Sequence, residues 1–248
     1  MRTFGLLGFP LGHSFSQKYF TKKFEDANIT DCKYQLFSIE NEQSIPDFLG
    51  KNLAYISGFN VTIPYKQAIL NYLDEITPDA AAIGAVNCVK VTNNQKLVGF
   101  NTDVYGFEIS LLDFIGHREY IKKALILGTG GSSKAVKYVL RKNNIPFTSV
   151  SRTPQKDCLT YENLDPTVLS EYQLIVNTTP LGMSPNTNFF PNIPYSSLGA
   201  QHYLYDLIYN PEKTLFLERG EMQNCKTKNG LEMLYLQAEK SWEIWNSL

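Results

Sequence analysis

The segment that most constrains the fold is a glycine-rich turn between an apolar run and a helix-like run. Residues 124–135 read Ala-Leu-Ile-Leu-Gly-Thr-Gly-Gly-Ser-Ser-Lys-Ala, and Gly128, Gly130 and Ser133 occupy the small positions of the pattern G-x-G-x-x-G/A. Small residues there let a pyrophosphate approach the backbone N–H groups at a helix N-terminus. A tight turn between two core elements is the alternative interpretation. Because a predicted strand and helix flank the turn in the required order, the segment favours a dinucleotide-binding βαβ unit.

The next predicted strand ends in a residue suited to reading the ribose of such a cofactor. Arg152 lies in Val150-Ser-Arg-Thr153, about two dozen positions after the first glycine. An NAD site places Asp or Glu there for the ribose 2′-hydroxyl, whereas a 2′-phosphate needs a cation and hydroxyl donors. Ser151, Arg152 and Thr153 match the second chemistry. We therefore predict NADP(H), with a solvated loop arginine as the alternative interpretation.

The rest of the chain predicts an α/β protein in which short apolar runs alternate with amphipathic helices. Strands are predicted at 3–8, 33–39, 55–62, 123–127, 147–151, 174–177 and 203–207, with a hairpin of 86–91 against 97–100 around Asn93-Asn94. Helices are predicted after Ser16 as N-cap, from Thr77-Pro78 to Ile83, and over 103–115, 131–143 and 231–245. A loop rich in Pro, Asn and Ser at 180–197 is long enough to be functional.

These elements predict two domains. An N-terminal α/β substrate domain, residues 1–101, precedes a Rossmann-like domain, residues 102–230, and the last helix, 231–248, is expected to pack back on the first domain. We expect the active site in the cleft between the domains, where cofactor and substrate must meet. The predicted fold class is therefore α/β, with a C-terminal dinucleotide-binding domain.

Composition and charge narrow the range of partners. The 248 residues carry 23 basic and 24 acidic groups, and a net charge of −1 offers no footprint for nucleic acid or an anionic membrane surface. No apolar run approaches the roughly 18 residues that cross a bilayer, and Gly5, Gly8 and Pro10 interrupt the N-terminal run, which makes a poor signal peptide. Four scattered cysteines without a Cys-x-x-Cys pair predict free thiols and no metal. We expect a cytoplasmic monomer or homodimer with a small-molecule substrate.

A second group of polar residues lies outside the glycine turn, at the ends of predicted elements. It comprises Ser14 and Ser16, Asn60-Val-Thr-Ile-Pro-Tyr-Lys66, Gly84-Ala-Val-Asn87 and Gly99-Phe-Asn-Thr-Asp103. Taken singly, each has a structural explanation: Ser16 as a helix cap, Asn60 and Thr62 as polar groups at a strand end, Asn87 as a hairpin residue and Asp103 as a helix N-cap. Their order along the chain is what points to a shared function.

The ordered set resembles the shikimate dehydrogenase family. Its motifs are S-x-S, N-V-T-x-P-x-K, G-A-V-N, G-x-N-T-D, G-x-G-G-x-x-x-A and S-R-T, continued by Asn177-Thr-Thr-Pro-Leu-Gly-Met183, Asp206-Leu-Ile-Tyr-Asn-Pro211 and Gly230-Leu-Glu-Met-Leu-Tyr-Leu-Gln237. Ordered motifs along nearly the whole chain are far more specific than one glycine turn. The departures are Cys88 where threonine is usual, Ser151 where asparagine often stands, and Thr129 and Ser132 where alanines are common. None removes a catalytic group.

The resemblance implies a role for each matching residue. Ser14 and Ser16 hold the substrate carboxylate, and Lys66 and Asp103 form the catalytic pair. Positions that contact the substrate's ring hydroxyls or carboxylate are matched by Asn60, Thr62, Asn87 and Gln237, and positions beside the nicotinamide by Tyr209, which we count with the substrate site, and Gly230. The predicted cofactor site comprises Gly128, Gly130, Gly131, Ser132, Ser151, Arg152, Thr153, Thr178 and Gly230.

The implied reaction is the NADPH-dependent, reversible reduction of 3-dehydroshikimate to shikimate, on the route to aromatic amino acids. Hydride transfer to a ketone requires a proton for the developing alkoxide, and a lysine beside an aspartate can supply it or take it back. His13 is the other acid/base candidate, but its loop setting favours a structural role. Two alternatives remain open: a quinate/shikimate dehydrogenase using NAD or NADP, and a non-catalytic module that senses a dinucleotide or a metabolite.

Overall fold

The chain divides into two compact units, each built around its own sheet. The computed structural model describes residues 1–12 and 14–247, with residue 118 described by its backbone only. The first unit comprises Met1–Thr102 and Ala238–Leu248, and the second comprises Asp103–Gln237. The chain therefore leaves the first unit after Thr102 and returns to it inside its last helix. The predicted α/β fold class is confirmed.

The first unit holds a mixed six-stranded sheet. Its elements are β1 (Arg2–Gly8), α1 (Phe15–Asp26), β2 (Cys32–Ser38), α2 (Ile45–Asn52), β3 (Ile56–Val61), β4 (Glu75–Ile76), α3 (Pro78–Ile83), β5 (Cys88–Val91) and β6 (Leu97–Phe100). The strand order is β2-β1-β3-β5-β6-β4, in which β1 runs parallel to β2 and β3, and β5 runs antiparallel to β3 and β6. β1 lies inside the sheet, between β2 and β3, and its residues 3–8 are buried, as expected for a strand covered on both faces.

The cap of the first helix lies two residues earlier than predicted. Ser14 is the N-cap of α1, because its Oγ accepts a hydrogen bond from the Gln17 N–H at 3.3 Å. Ser16 lies inside the first turn of the helix, so the prediction of Ser16 as the cap is wrong. Phe20 and Phe24 are buried on the inner face of α1, as their spacing predicts.

The predicted hairpin forms, with a different turn residue in the left-handed conformation. β5 pairs antiparallel with β6, and the Gln95 N–H donates to the Thr92 carbonyl at 2.8 Å. The left-handed residue of the turn is Gln95, with φ of 60°, and neither Asn93 nor Asn94 has a positive φ. A turn followed by one left-handed residue closes the loop here, a common hairpin connection in which the third loop residue carries the positive φ.

The second unit is a parallel six-stranded sheet with the strand order of a doubly wound dinucleotide-binding fold. Its elements are α4 (Thr102–Ile115), β7 (Ala124–Leu127), α5 (Gly131–Lys142), β8 (Phe147–Ser151), β9 (Cys158–Thr160), α6 (Pro166–Leu169), β10 (Leu174–Asn177), β11 (Tyr203–Asp206), α7 (Leu215–Glu221) and β12 (Lys226–Lys228). The last helix, α8 (Leu231–Asn246), begins in the second unit and ends in the first. The order is β12-β11-β10-β7-β8-β9, with every pairing parallel. The order reverses at β7, where ligands of such sheets bind beyond the strand ends.

Two further predictions concern the start of α4 and the loop at 180–197. Asp103 is not a helix N-cap, because α4 already begins at Thr102. The loop at 180–197 is partly anchored, since Ile193, Tyr195 and the following Leu198 are buried in the core of the second unit.

Across residues 1–12 and 14–247, none of the helices combines the length and the apolar character needed to cross a membrane.

Candidate active site

Asn60 is the centre of a buried hydrogen-bond network in the first unit. It lies near the end of β3 and is 5% exposed. Its Oδ1 accepts from the Tyr34 hydroxyl at 2.9 Å, and its Nδ2 donates to the Asn87 carbonyl at 3.1 Å and to Ser241 Oγ at 2.9 Å. Both amide hydrogens of Asn60 are therefore used by protein groups, which fixes the orientation of this side chain.

Asn87 joins the same network through Thr102. The Asn87 Oδ1 accepts from the Thr102 N–H at 2.6 Å, and its Nδ2 lies 3.0 Å from Thr102 Oγ1. Thr102 Oγ1 is in turn 3.2 Å from Ser241 Oγ. Asn87, Thr102 and Ser241 are all buried. Since Thr102 is followed directly by Asp103, the network ends beside a predicted catalytic residue.

Two buried groups at the network have strongly shifted pKa values. Burial raises the pKa of the Tyr34 phenol well above its usual range. Burial also raises the pKa of the neighbouring Cys88 thiol to about 12, opposed by hydrogen bonds with Ser241 and Trp245. The network is formed by neutral hydroxyl and amide groups, which suit the hydroxyl groups of a ligand.

The other predicted residues of the first unit lie on segments that follow β1 and β3. The Thr62 N–H donates to the Leu7 carbonyl at 2.9 Å. A Cβ at Gly8 would come within 2.3 Å of Thr62 Cγ2, so the glycine allows this close approach. The Lys66 carbonyl accepts from the Val86 N–H at 2.8 Å, which pairs the Lys66 segment with the segment that carries Asn87.

The glycine turn of the second unit has the geometry that a phosphate requires. Gly128 has a φ of +106°, and a Cβ there would lie 2.8 Å from Thr178 Oγ1, so only glycine fits. Thr178 is held by its own hydroxyl, which donates to the Leu127 carbonyl at 2.8 Å. α5 starts at Gly131 after the N-cap Gly130, without a side-chain cap, and a Cβ on either glycine would meet nothing within 4 Å. Backbone N–H groups at this helix N-terminus can therefore receive an anion.

A cavity lined in part by Arg152 lies next to the end of β8. The Gly128 N–H donates to the Val150 carbonyl at 2.9 Å, which holds the glycine turn against β8. Ser151 Oγ accepts from the Thr153 N–H at 3.3 Å. The cavity measures about 430 Å³ and is lined by Arg152, Pro154, Gln155, Cys158, Thr160, Tyr161, Glu162 and Asn163. An exposed guanidinium beside hydroxyl groups fits a ribose 2′-phosphate, so this unit fits NADP(H).

The remaining predicted residues have local contacts in the second unit. Ser132 is exposed in the first turn of α5. A Cβ at Gly230 would lie 2.2 Å from the Leu207 carbonyl oxygen, so packing alone requires glycine there. Gln237 is buried and donates from Nε2 to the Leu234 carbonyl at 3.0 Å. Tyr209 is 36% exposed, and partial burial raises the pKa of its phenol.

The described residues give no metal site and place one of the histidines in the core. Within 1–12 and 14–247, His, Cys, Asp and Glu side chains form no group of three that could hold a metal ion. All four cysteines are free. His202 is buried and its Nδ1 lies 3.0 Å from the Gly199 N–H, a structural setting. The prediction for His13 lies outside the described residues.

Sequence reasoning missed three members of the buried network: Tyr34, Thr102 and Ser241. Ser241 stands four residues after Gln237, so the two share a face of α8, and this spacing is the signal that could have found it. Thr102 stands inside the N-T-D motif, where only the aspartate received a role. Tyr34 carries no local signal, because its partner Asn60 is 26 positions away.

Comparison with known proteins gives relatives for this chain. The sequence model of the shikimate dehydrogenase substrate binding domain matches residues 6–89. The shikimate dehydrogenase (NADP(+)) of Methanococcus aeolicus is 38% identical over 259 aligned residues, which cover 98% of this chain and 91% of that protein.

Solved structures give the same family. Shikimate dehydrogenase from Aquifex aeolicus is 32% identical, with a TM-score of 0.88 over 99% of this chain and 92% of that one. Shikimate 5-dehydrogenase from Thermus thermophilus, solved in complex with NADP(H) and shikimate, is 30% identical, with a TM-score of 0.87 over 100% of this chain and 94% of that one. With this identity over nearly the full length of both sequences, the resemblance is confirmed: the chain belongs to the shikimate dehydrogenase family.

Proposed function

We propose that this chain is an NADP(H)-dependent shikimate dehydrogenase that reversibly reduces 3-dehydroshikimate to shikimate. The observation that carries the proposal is the match to enzymes of this name along nearly the whole chain, at 36% identity or more in three such relatives. The match spans both the unit with the neutral polar network and the unit with the glycine turn. Lys66 and Asp103, which the family pattern assigns to catalysis, are both retained.

The second unit holds the cofactor in this proposal. The N–H groups at the start of α5 bind the pyrophosphate, and Arg152, with Ser151 and Thr153, binds the 2′-phosphate. Bound NADPH supplies a hydride. The glycines at 128, 130 and 131 act by keeping side chains away from the phosphate path, which their geometry already does without the ligand.

The first unit binds and orients the substrate. Ser14 and Ser16 donate to its carboxylate, and amide and hydroxyl groups of Asn60, Thr62 and Asn87 bind its ring. The proposal adds Tyr209 and Gln237, from the sequence of the second unit, to the substrate residues. Charge-assisted hydrogen bonds to the carboxylate supply the stronger anchor, and neutral groups select the pattern of hydroxyls.

Lys66 handles the proton in this mechanism. Its ammonium gives a proton to the substrate oxygen during reduction and its amine takes one back during oxidation. Asp103 orients the ammonium and shares its proton. General acid/base catalysis of this kind contributes typically 10²- to 10⁴-fold to a rate.

The same proposal includes the setting in which the enzyme works. We propose a cytoplasmic monomer or homodimer whose partners are small molecules, without nucleic acid, membrane or metal. The four free thiols, three of them buried, support a reducing compartment.

The proposal is tested by following nicotinamide absorbance with shikimate or quinate, each offered NADP⁺ and NAD⁺. Reduction of NADP⁺ by shikimate is the expected result, and Lys66→Ala is expected to lower kcat by about 10²- to 10⁴-fold. Lys51→Ala, which removes the same side chain from an exposed position of the same unit, is the matched control. Preference for quinate would favour the quinate/shikimate dehydrogenase, and no turnover with nucleotide binding intact would favour a sensing module.

The Asp103→Asn variant tests whether Lys66 and Asp103 act together. This change keeps the shape of the side chain and removes its charge, so kcat is expected to fall heavily. Because the two residues act together, the double variant is expected to be scarcely slower than the poorer single variant. Multiplied losses would show independent contributions, and near wild-type kcat in a folded Lys66→Ala protein would overturn the mechanism.

A further inference from the structure

The hydrogen bonds of the first unit can be arranged so that each side chain donates to the next. Asn60 Nδ2 donates to Ser241 Oγ at 2.9 Å, so the Ser241 hydrogen can point to Thr102 Oγ1 at 3.2 Å. The Thr102 hydroxyl can then donate to Asn87 Oδ1 at 3.2 Å. One assignment of hydroxyl hydrogens therefore satisfies Asn60, Ser241, Thr102 and Asn87 together.

The same direction extends back to β2. The Tyr34 hydroxyl donates to Asn60 Oδ1 at 2.9 Å, so Tyr34 is the first donor in the chain of hydrogen bonds. The full sequence is Tyr34, Asn60, Ser241, Thr102 and Asn87. Chains of hydrogen bonds with one direction strengthen one another in a low-dielectric interior.

We propose that Ser241 and Tyr34 are positioning residues for the substrate: they hold the side chains of Asn60 and Asn87 in the orientations that bind shikimate. Asn60 and Asn87 are predicted substrate residues, and Tyr34, Ser241 and Thr102 are the groups that bond them. The inference rests on the proposed function.

Ser241 is held in place by contacts on both sides of it along α8. One turn later, Trp245 Nε1 donates to the Val89 carbonyl at 3.0 Å, and the ring lies against Gly58, where a Cβ would come within 2.3 Å of Trp245 Cδ1. Two residues earlier, Glu239 accepts from Lys23 Nζ at 2.7 and 2.8 Å. The Ser241 hydroxyl is therefore presented to Asn60 from a fixed helix, which is what a positioning residue requires.

Loss of a link has a defined effect on binding. Without the Ser241 hydroxyl, Asn60 loses an acceptor and Thr102 loses a partner, so the Asn60 and Asn87 amides gain rotational freedom that the substrate must remove. We expect Ser241→Ala and Tyr34→Phe each to raise the KM for shikimate about 5- to 30-fold, the loss expected of one or two neutral hydrogen bonds. The KM for NADP⁺ is expected to stay within about twofold, and kcat to fall less than the KM rises.

The experiment compares these two variants, their combination and a matched control. The control is Ser110→Ala, which removes another fully buried serine hydroxyl, in the second unit, where Ser110 bonds Glu232 at 2.7 Å and Tyr205 at 2.9 Å. It is expected to lower Tm without changing the KM for shikimate. Because both links act through Asn60, the double variant is expected to raise KM by less than the product of the single effects.

Calorimetric titration of shikimate into the wild type and each folded variant gives the readout independent of turnover. A lowered Tm with unchanged KM and Kd for shikimate in both variants would overturn the positioning role and leave the proposed function intact. If Ser241→Ala does not fold, Tyr34→Phe, which keeps the buried ring, decides the matter. A wild type that neither binds shikimate nor reduces NADP⁺ with it would overturn the proposed function and the positioning role together.

Discussion

Asp206 is a buried carboxyl held by three neutral donors. Its Oδ1 accepts from Asn177 Nδ2 at 3.0 Å and from the Ile208 N–H at 3.1 Å, and its Oδ2 accepts from Thr214 Oγ1 at 2.6 Å. Burial raises the pKa of Asp206 to about 6, and these three hydrogen bonds offset part of the rise. The ionised form therefore remains costly inside the second unit at neutral pH.

This cost makes the stability of the protein depend on pH in a specific direction. The folded-state pKa of Asp206 lies above its unfolded value, so the folded state binds the proton more tightly. The stabilisation that the proton provides is complete below about pH 4 and is lost as the pH rises through about 6. Stability due to this group is thus expected to fall between these values.

We expect the stability of the Asp206→Asn variant, relative to that of the wild type, to be highest at high pH. The variant removes the buried charge and keeps groups that can bond Thr214 and Ile208. Its stability relative to the wild type is expected to grow by about 2 kcal/mol between about pH 4.5 and pH 8, measured by urea unfolding. A constant difference across this range would show that Asp206 does not titrate there.

At the scale of elements, Ser14 and Ser16 have different structural roles in α1, although the family resemblance assigns both to the substrate carboxylate. Ser14 caps the helix and Ser16 lies within it. Loss of an N-cap side chain costs about 0.5–2 kcal/mol. Ser14→Ala is expected to lower the free energy of unfolding by such an amount and to weaken shikimate binding, whereas Ser16→Ala is expected to weaken binding with a smaller loss of stability. Thermal unfolding and the KM for shikimate, with the KM for NADP⁺ as the control, distinguish the two; equal stability losses would contradict the assignment of the cap.

Elements with strong local signals could be predicted from the sequence, and those that depend on distant partners could not. The glycine turn identified β7, α5 and β8 because an apolar run precedes it, and a helical pattern and a second apolar run follow it in the order that a βαβ unit requires. β4, with two residues, and β9 and β12, with three each, are too short to show any periodicity. Their existence depends on a neighbouring strand that offers a pairing edge.

The same contrast holds inside the site. The motifs pointed to Asn60 and Asn87, whose residue types are informative by themselves. The links between them depend on contacts across 26 and 181 positions, such as Tyr34 with Asn60 and Asn60 with Ser241, which a single sequence does not encode locally. The choice of Ser14 over Ser16 as the cap was also beyond the sequence, because both serines precede an amphipathic run and only the backbone decides which one reaches Gln17.

For the molecule as a whole, the different exposure of the four thiols provides a test of cofactor binding. Cys32, Cys88 and Cys225 are buried, and burial raises the pKa of each; Cys158 is partly exposed in the cavity that Arg152 also lines. Thiol reactivity requires exposure and the thiolate form. The native protein is therefore expected to react quickly with a disulfide reagent at Cys158 and slowly at the other three thiols.

We expect NADP⁺ to slow the reaction at Cys158. At about ten times its Kd, the nucleotide leaves about a tenth of the protein unliganded, so the rate is expected to fall about tenfold. Arg152→Asp is expected to reduce this protection to about twofold or less at the same concentration, because loss of a charged hydrogen bond weakens binding about 10- to 150-fold. NAD⁺, which lacks the 2′-phosphate, serves as the control. Equal protection by both nucleotides would show that Arg152 does not read the phosphate.

The path of the chain through its two units has a consequence for how the protein is made. The second unit is one uninterrupted stretch, 103–237, whereas the first unit needs residues 238–248 to supply Ser241 and Trp245. On a ribosome the second unit can therefore complete its fold as soon as it has emerged. The first unit, although synthesised earlier, must wait for the last helix before Asn60 finds its acceptor and Gly58 its covering ring. The half of the nascent chain that is translated first is thus the half that matures last.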